Sequence, residues 1–145
     1  MRSPILWPLI LLVLWTLVMC AWLYTTRIPA LQKHNVVYDP RRPAEEFHAQ
    51  LPPEVRWKAD NYNNLLEQPT IFYAVALTLA FLDAGSGFTA GLAWVYLALR
   101  IAHSLVQALV NKVIIRFALF AASSIVLLIL TIRAAWIMLF APVGS

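Results

Sequence analysis

The chain has 145 residues, of which 61% are hydrophobic and 12% are charged, whereas soluble domains have roughly 25% charged residues. So few charges cannot cover a soluble domain of this length, and the composition therefore predicts a membrane protein. The basic residues lie between apolar segments and form no basic face with interleaved aromatics, so the net charge of +4 does not indicate a nucleic-acid partner. The single cysteine, Cys20, excludes a disulfide framework, and no spacing of ligand-type residues predicts a metal site.

The first apolar segment has no charged residue between Arg2 and Arg27. It exceeds the roughly 20 residues that cross a bilayer as a helix, and we interpret residues 5–26 as an uncleaved span. A signal peptide is the alternative, because Arg2 supplies a positive start. Signal sequences, however, have apolar regions of about 7–15 residues that end at small residues, and the stretch around Cys20 has neither property.

Three further helices are predicted at residues 60–84, 88–110 and 114–140. A turn at Gly85–Gly87 separates the first two, and Asn111-Lys112 interrupts the apolar sequence before the last. Together with the first span, these segments predict an all-α protein: an integral membrane four-helix bundle that forms a single domain over residues 1–145.

The connection at residues 27–57 is predicted to be a surface loop, because its prolines oppose a long helix. These prolines are Pro29, Pro40, Pro43, Pro52 and Pro53. The loop also contains most of the basic residues, and the connection at Lys112 is basic too. Because Lys and Arg in short loops favour the cytoplasm, we expect both basic loops inside and both termini outside.

Polar residues form a stripe at the start of the second predicted helix. Asp60, Asn64, Glu67 and Gln68 recur at i, i+4, i+7 and i+8, which places them on one helical face. Such a face is not expected to contact lipid, so the sequence predicts that it faces the other helices.

A second polar stripe lies on the third predicted helix and comprises Tyr96, Arg100, His103, Ser104, Gln107 and Asn111. A charged residue inside a membrane helix costs a few kcal/mol, so we expect Arg100 to face the bundle and to pair with Glu67. On the same argument Arg133 is expected to pair with Asp83. The alternative is that these polar residues only join helices, since polar side chains also hold membrane helices together.

Three short segments resemble the MAPEG family, the membrane-associated proteins in eicosanoid and glutathione metabolism. They are Asn64-Leu65-Leu66-Glu67-Gln68-Pro69, Arg100-Ile101-Ala102-His103-Ser104, and Arg116 at the start of the last helix. The resemblance covers residues 54–136. It implies a homotrimer that holds glutathione between neighbouring subunits near the cytoplasmic ends of the helices, and a location in a bacterial plasma (inner) membrane.

The resemblance also implies roles for individual residues. Asn64, Glu67, Arg100 and His103 match family positions that bind glutathione. Arg116 matches the catalytic arginine that activates the glutathione thiol, where a cation near the sulfur favours the thiolate.

Other positions depart from the family pattern. Asp60 replaces an arginine, Gln107 replaces a tyrosine, and Phe117 and Phe120 replace a serine and a tyrosine. Because a carboxylate at position 60 repels a peptide carboxylate, we predict weak glutathione affinity or none.

These observations leave two main functional hypotheses. The first is a glutathione-dependent transferase or peroxidase that acts on a lipophilic electrophile. The second is a non-enzymatic trimeric membrane protein whose polar stripes are structural or bind a lipid or another small molecule. A proton or solute path along Glu67, Arg100 and His103 is a third hypothesis.

Overall fold

A computed structural model describes residues 2–142 of the chain, and it is all-helical over that range. The helices are α1 (Leu6–Lys33), α2 (Ala44–Ala49), α3 (Pro53–Phe81), α4 (Phe88–Leu109) and α5 (Val113–Phe140). The all-α class is therefore confirmed, but the described residues contain five helices where four were predicted. The first residue and the last three residues of the predicted domain, 1–145, lie outside the described range.

The predicted surface loop at residues 27–57 is wrong at both ends. Helix α1 continues through Pro29 to Lys33, because a single proline removes one backbone donor while its fixed φ remains compatible with a helix. Helix α3 begins at Pro53, where the missing N–H of the first helical residue has no intrahelical partner to lose. Only residues 34–52 lie between these helices, and they include the short helix α2.

Three of the helices are long and apolar enough to cross a membrane: α1, α4 and α5. Helix α3 is as long as these but does not meet the same criterion, because its first half carries the polar stripe and several charges. The chain is therefore a multi-pass membrane protein with three such helices among its described residues.

The bundle core forms where α1 packs on α3 and where α4 packs between α3 and α5. Leu12, Phe72 and Leu130 are completely buried there, and the ring of Phe72 stacks on the ring of Tyr96 with centroids 4.3 Å apart. The outer faces of α1 and α5 instead expose leucine, isoleucine, tryptophan and phenylalanine side chains, as expected for helices in contact with lipid.

The N-terminal residues pack closely on the turn between α3 and α4. The backbone N–H of Ile5 donates a hydrogen bond of 2.9 Å to the carbonyl of Gly85. A Cβ atom at Gly85 would lie 2.5 Å from Cγ2 of Ile5 and 2.2 Å from Oγ of Ser3, so only glycine fits at this position. This contact fixes one end of the bundle, and the polar stripes lie toward the other.

Candidate functional site

Arg100 lies at the centre of a polar network that joins three helices. Its side chain is completely buried on α4, and its guanidinium donates to the side-chain oxygen of Asn64 and, at 3.3 Å, to Oε1 of Gln68, both on α3. The hydroxyl of Tyr96 donates to the same oxygen of Gln68 at 3.2 Å. Nε2 of Gln68 in turn donates to Oγ of Ser124 on α5 at 2.7 Å. The buried cation is therefore held by neutral groups.

The predicted ion pair between Arg100 and Glu67 is wrong for this chain. Glu67 is exposed, and no carboxylate among residues 2–142 lies within 4.0 Å of the Arg100 guanidinium. Asn64 and Gln68 are one helical turn apart and face α4, whereas Glu67 is rotated by about 100° from Gln68. Asp60 is also exposed, so only half of the predicted α3 stripe faces the bundle.

The predicted pairing of Arg133 with Asp83 is wrong as well. Both residues are exposed, and no salt bridge joins them within the described part of the chain. At the end of a bundle both side chains can reach water or lipid headgroups, so neither needs a partner inside the protein.

The α4 stripe faces the protein interior, as the sequence predicted. Its first five members are buried and Asn111 is half-buried. The stripe also binds α1, because Nε1 of Trp15 donates to Oγ of Ser104 at 3.0 Å. This contact was not predicted, since nothing in the spacing of Trp15 distinguishes a buried donor from an interface anchor.

Arg116 lies in the first turn of α5 and is half-buried. Its Nη1 donates to the side-chain oxygen of Asn111, while its Nε is buried without a partner among residues 2–142. Asn111 follows the end of α4 with a φ of 53°, in the left-handed region that asparagine tolerates better than most residues. Arg116, like Arg100, therefore has a neutral amide as its partner.

One open cavity of about 210 Å³ connects most of the predicted site residues, and we call it the Arg116 cavity. Its lining residues are Asn64, His103, Val113, Arg116, Phe117 and Phe120. Arg100 lies behind this lining, with its Cζ 5.9 Å from the centroid of the Phe120 ring. Glu67 is not part of the lining. The cavity thus combines a guanidinium, an imidazole and an amide with an apolar wall.

A second cavity has a volume of about 390 Å³, and we call it the Arg56 cavity. Its lining residues are Glu45, His48, Ala49, Arg56, Trp57, Ala59, Asp60, Asn63 and Asn111. Asp60, the main departure from the family pattern, therefore lies beside this cavity. Asn111 lines the Arg56 cavity. It also accepts a hydrogen bond from Arg116, which lines the Arg116 cavity.

His48 attaches helix α2 to the end of α1. Nη2 of Arg27 lies 3.0 Å from Nδ1 of His48, and the Arg27 guanidinium also lies over the ring of Phe47. Burial and the positive charge of Arg27 lower the pKa of His48 below its ordinary value, while Asp60 opposes the shift. Sequence reasoning missed this contact because it treated residues 27–57 as a surface loop without a long helix.

Two polar residues that the sequence placed in the stripes, but not in the site, are central to the geometry. Gln68 links α3 to α4 and α5, and Asn111 binds Arg116. The sequence does contain an indication for Asn111, because an asparagine at the end of an apolar helix is typical of a helix end with a left-handed backbone conformation. No comparable signal distinguishes Gln68 from its neighbour Glu67.

The fold and the site define a multi-pass helical membrane protein with buried cations beside an open cavity. The sequence matches the model of the MAPEG family over residues 5–136, and the chain belongs to this family. It matches no curated protein and no solved structure.

Proposed function

We propose that this protein is a glutathione-dependent transferase or peroxidase that acts on lipophilic electrophiles. The observation that supports the proposal is the uncompensated positive charge beside the Arg116 cavity. Arg100 and Arg116 have only neutral hydrogen-bond partners among the described residues. A partly desolvated cation without a counter-ion favours an anionic ligand, and the reactive form of a thiol is the thiolate anion.

Arg116 is the residue proposed to act on the sulfur. A cation within about 4–6 Å of a thiol lowers the thiol pKa and raises the thiolate fraction at neutral pH. In the transferase reaction the thiolate forms a carbon–sulfur bond, and the leaving group departs with the bonding electrons. In the peroxidase reaction two glutathione thiols are oxidised to a disulfide while a hydroperoxide is reduced to an alcohol and water.

The remaining site residues are proposed to bind the two substrates. Asn64 and His103 offer polar contacts to glutathione from the cavity wall, and Arg100 holds Asn64 in place. Phe117 and Phe120 supply an apolar surface for the electrophile. Glu67 completes the glutathione site from an exposed position on α3, where a neighbouring subunit can approach it.

We also propose a homotrimer in a bacterial plasma (inner) membrane, with α3 as the fourth crossing of a single domain. The second half of α3 buries Phe72, Ala76 and Leu79 against the other helices, which supports a position inside the bundle. The connection at residues 34–52 carries Arg41 and Arg42, so we place it in the cytoplasm and both termini outside.

Calorimetric titration of the purified protein with glutathione tests the proposal. We expect weak binding, with a dissociation constant of about 1 mM or higher, and slow conjugation of a lipophilic electrophile. Arg116→Ala should abolish the thiolate absorbance of bound glutathione. Arg133→Ala, which removes an exposed arginine from the same helix, should not change it. Absence of both binding and conjugation would contradict the proposal.

The second candidate is a non-enzymatic trimer whose polar residues are structural. It is favoured by the network around Gln68, which connects α3, α4 and α5 through Arg100, Tyr96 and Ser124. In that case the same titration gives no heat of binding, and substitution of Arg116 changes no property of the thiol.

A further inference from the structure

We infer that Asn111 is a positioning residue for Arg116, holding the guanidinium at the cavity wall without neutralising its charge. The inference rests on the proposed function of Arg116 in thiolate stabilisation. It assigns to the turn between α4 and α5 a role in the chemistry of the site.

The backbone on both sides of this contact is fixed. The N–H groups of Val110 and Asn111 both donate to the carbonyl of Val106, which closes the end of α4. The N–H of Arg116 donates to the carbonyl of Lys112 at 3.0 Å in the first turn of α5. Because the turn between the helices is short, the side-chain oxygen of Asn111 has a defined position relative to Arg116.

The bond to Asn111 is the main constraint on the Arg116 side chain. Nε of Arg116 is buried without a partner in the part of the chain that the structure describes, and Nη1 binds the Asn111 oxygen. Without that acceptor, rotation about the side-chain torsions would move the charge away from the cavity with little loss of hydrogen bonding. The guanidinium then becomes more accessible to reagents in solution.

The neutral character of the acceptor is as important as its position. A carboxylate at position 111 would also bind the guanidinium, but its charge would oppose the field of Arg116 at the cavity. An amide oxygen binds the cation and leaves its net charge intact. The same solution is used at Arg100, whose side-chain acceptors are Asn64 and Gln68.

The first experiment measures the position of Arg116 without any thiol. The full-length protein in detergent is labelled with phenylglyoxal, and modification of Arg116 is followed by mass spectrometry. Asn111→Gly keeps the left-handed backbone, because glycine adopts it freely, and removes the acceptor. We expect Arg116 to be modified about tenfold faster in this variant, as loss of a hydrogen bond to a charged group implies.

Asn35→Gly is the matched control, because Asn35 also has a left-handed backbone, with a φ of 47°, and lies at the end of α1. It should leave the labelling of Arg116 unchanged. Asn111→Asp should also keep labelling slow, because the carboxylate still binds the guanidinium. Equal labelling rates in Asn111→Gly and the unmodified protein would overturn the inference.

The second experiment measures the chemistry, by ultraviolet titration of the thiolate of glutathione at saturating concentration. Asn111→Gly should raise the apparent pKa of the bound thiol by about one unit, which corresponds to the same tenfold change. Asn111→Asp should also raise the apparent pKa of the thiol, although this substitution keeps Arg116 in place, because the carboxylate opposes the charge of Arg116. Asn35→Gly should not.

The two experiments separate the inference from the proposed function. If Arg116→Ala raises the thiol pKa and Asn111→Gly does not, the inference alone fails. If the unmodified protein forms no thiolate, the proposed function fails, and the chemical role of Asn111 fails with it. The labelling result then still decides whether Asn111 positions Arg116.

Discussion

The two ends of the bundle follow different packing rules. At the end near Gly85, the side chains of Ser3 and Ile5 approach the glycine so closely that a single added carbon does not fit, and the charged residues Asp83 and Arg133 are exposed. At the end near Asn111, Arg100 and Arg116 are buried or half-buried, with cavities beside them. The difference predicts that stability depends on shape at one end, and on hydrogen bonds to charged groups at the other.

The largest expected effect is the loss of an acceptor for Arg100. Gln68→Leu should destabilise the protein by about 3 kcal/mol, because it leaves a buried cation with fewer partners and also removes the acceptor of Tyr96. Unfolding by denaturant in detergent micelles measures this cost. Combining Gln68→Leu with Arg100→Met should cost less than Gln68→Leu alone, since the stranded charge is then absent.

Glu67→Gln is the control for that experiment, because Glu67 is adjacent in sequence but exposed. Its effect should stay within about 0.5 kcal/mol. A cost comparable to that of Gln68→Leu would show that Glu67, and not the neutral amide, compensates Arg100.

The shape-dependent end is tested by two glycine substitutions of opposite expected sign. Gly85→Ala should cost about 2 kcal/mol, because its Cβ would overlap Ile5 and Ser3. Gly91→Ala should stabilise by about 0.5–1 kcal/mol, because Gly91 lies inside α4 and a Cβ there would meet no atom of residues 2–142 within 4 Å. Thermal unfolding of both variants measures the changes in stability. Changes of the same sign in both variants would contradict the conclusion that close packing excludes a side chain at Gly85.

A smaller effect is expected at the charged end from Asp60→Arg. Replacing the carboxylate beside the Arg56 cavity by a cation should strengthen glutathione binding about tenfold, the change expected for a charge-assisted contact. Calorimetry measures the change. The same substitution at Asp83, which is exposed at the opposite end, should leave the affinity unaltered. Equal gains in glutathione affinity from the substitutions at Asp60 and Asp83 would mean that the net charge of the protein, and not the position of the charge, controls binding.

The smallest expected effect is a pH dependence at helix α2. Burial and Arg27 lower the pKa of His48 in the folded protein, so the folded state binds fewer protons at this residue than the unfolded state. The stability that neutral His48 gives to the folded state is therefore complete above its ordinary pKa of about 6.5. This stability is lost as the pH falls below that value.

Hydrogen exchange of the α2 backbone, corrected for the intrinsic rate, measures this loss. His48→Gln should remove the pH dependence, whereas His34→Gln should preserve it, because His34 is exposed at the end of α1. Persistence of the pH dependence in His48→Gln would assign it to another group.

Helical periodicity explains how much of this architecture the sequence could predict. The α4 stripe was predictable because its six polar residues fall on one side of a helix that is otherwise built mainly from apolar residues, which defines one face. The α3 stripe spans an arc of the same width, but periodicity does not say which edge of that arc faces α4. That ambiguity produced the incorrect pairing of Arg100 with Glu67.

The remaining errors have local causes. The connection at residues 27–57 was predicted from its prolines, but Pro29 and Pro53 occupy positions that a helix accepts. Of the predicted site, Asn64, His103 and Arg116 come together, while the partners of the two arginines depend on tertiary contacts. Residue type alone therefore identified the cations but not the groups that hold them.

Helix α1 has a length that matters beyond the bundle itself. Its 28 residues extend about 42 Å, whereas the hydrocarbon layer of a bilayer is about 30 Å thick. We therefore expect the final turns, with Arg27 and Lys33, to project into the headgroup layer and to carry α2 with them. Anionic headgroups would compete with His48 for Arg27. A change in lipid composition should therefore alter the docking of α2 before it alters the surroundings of the buried arginines.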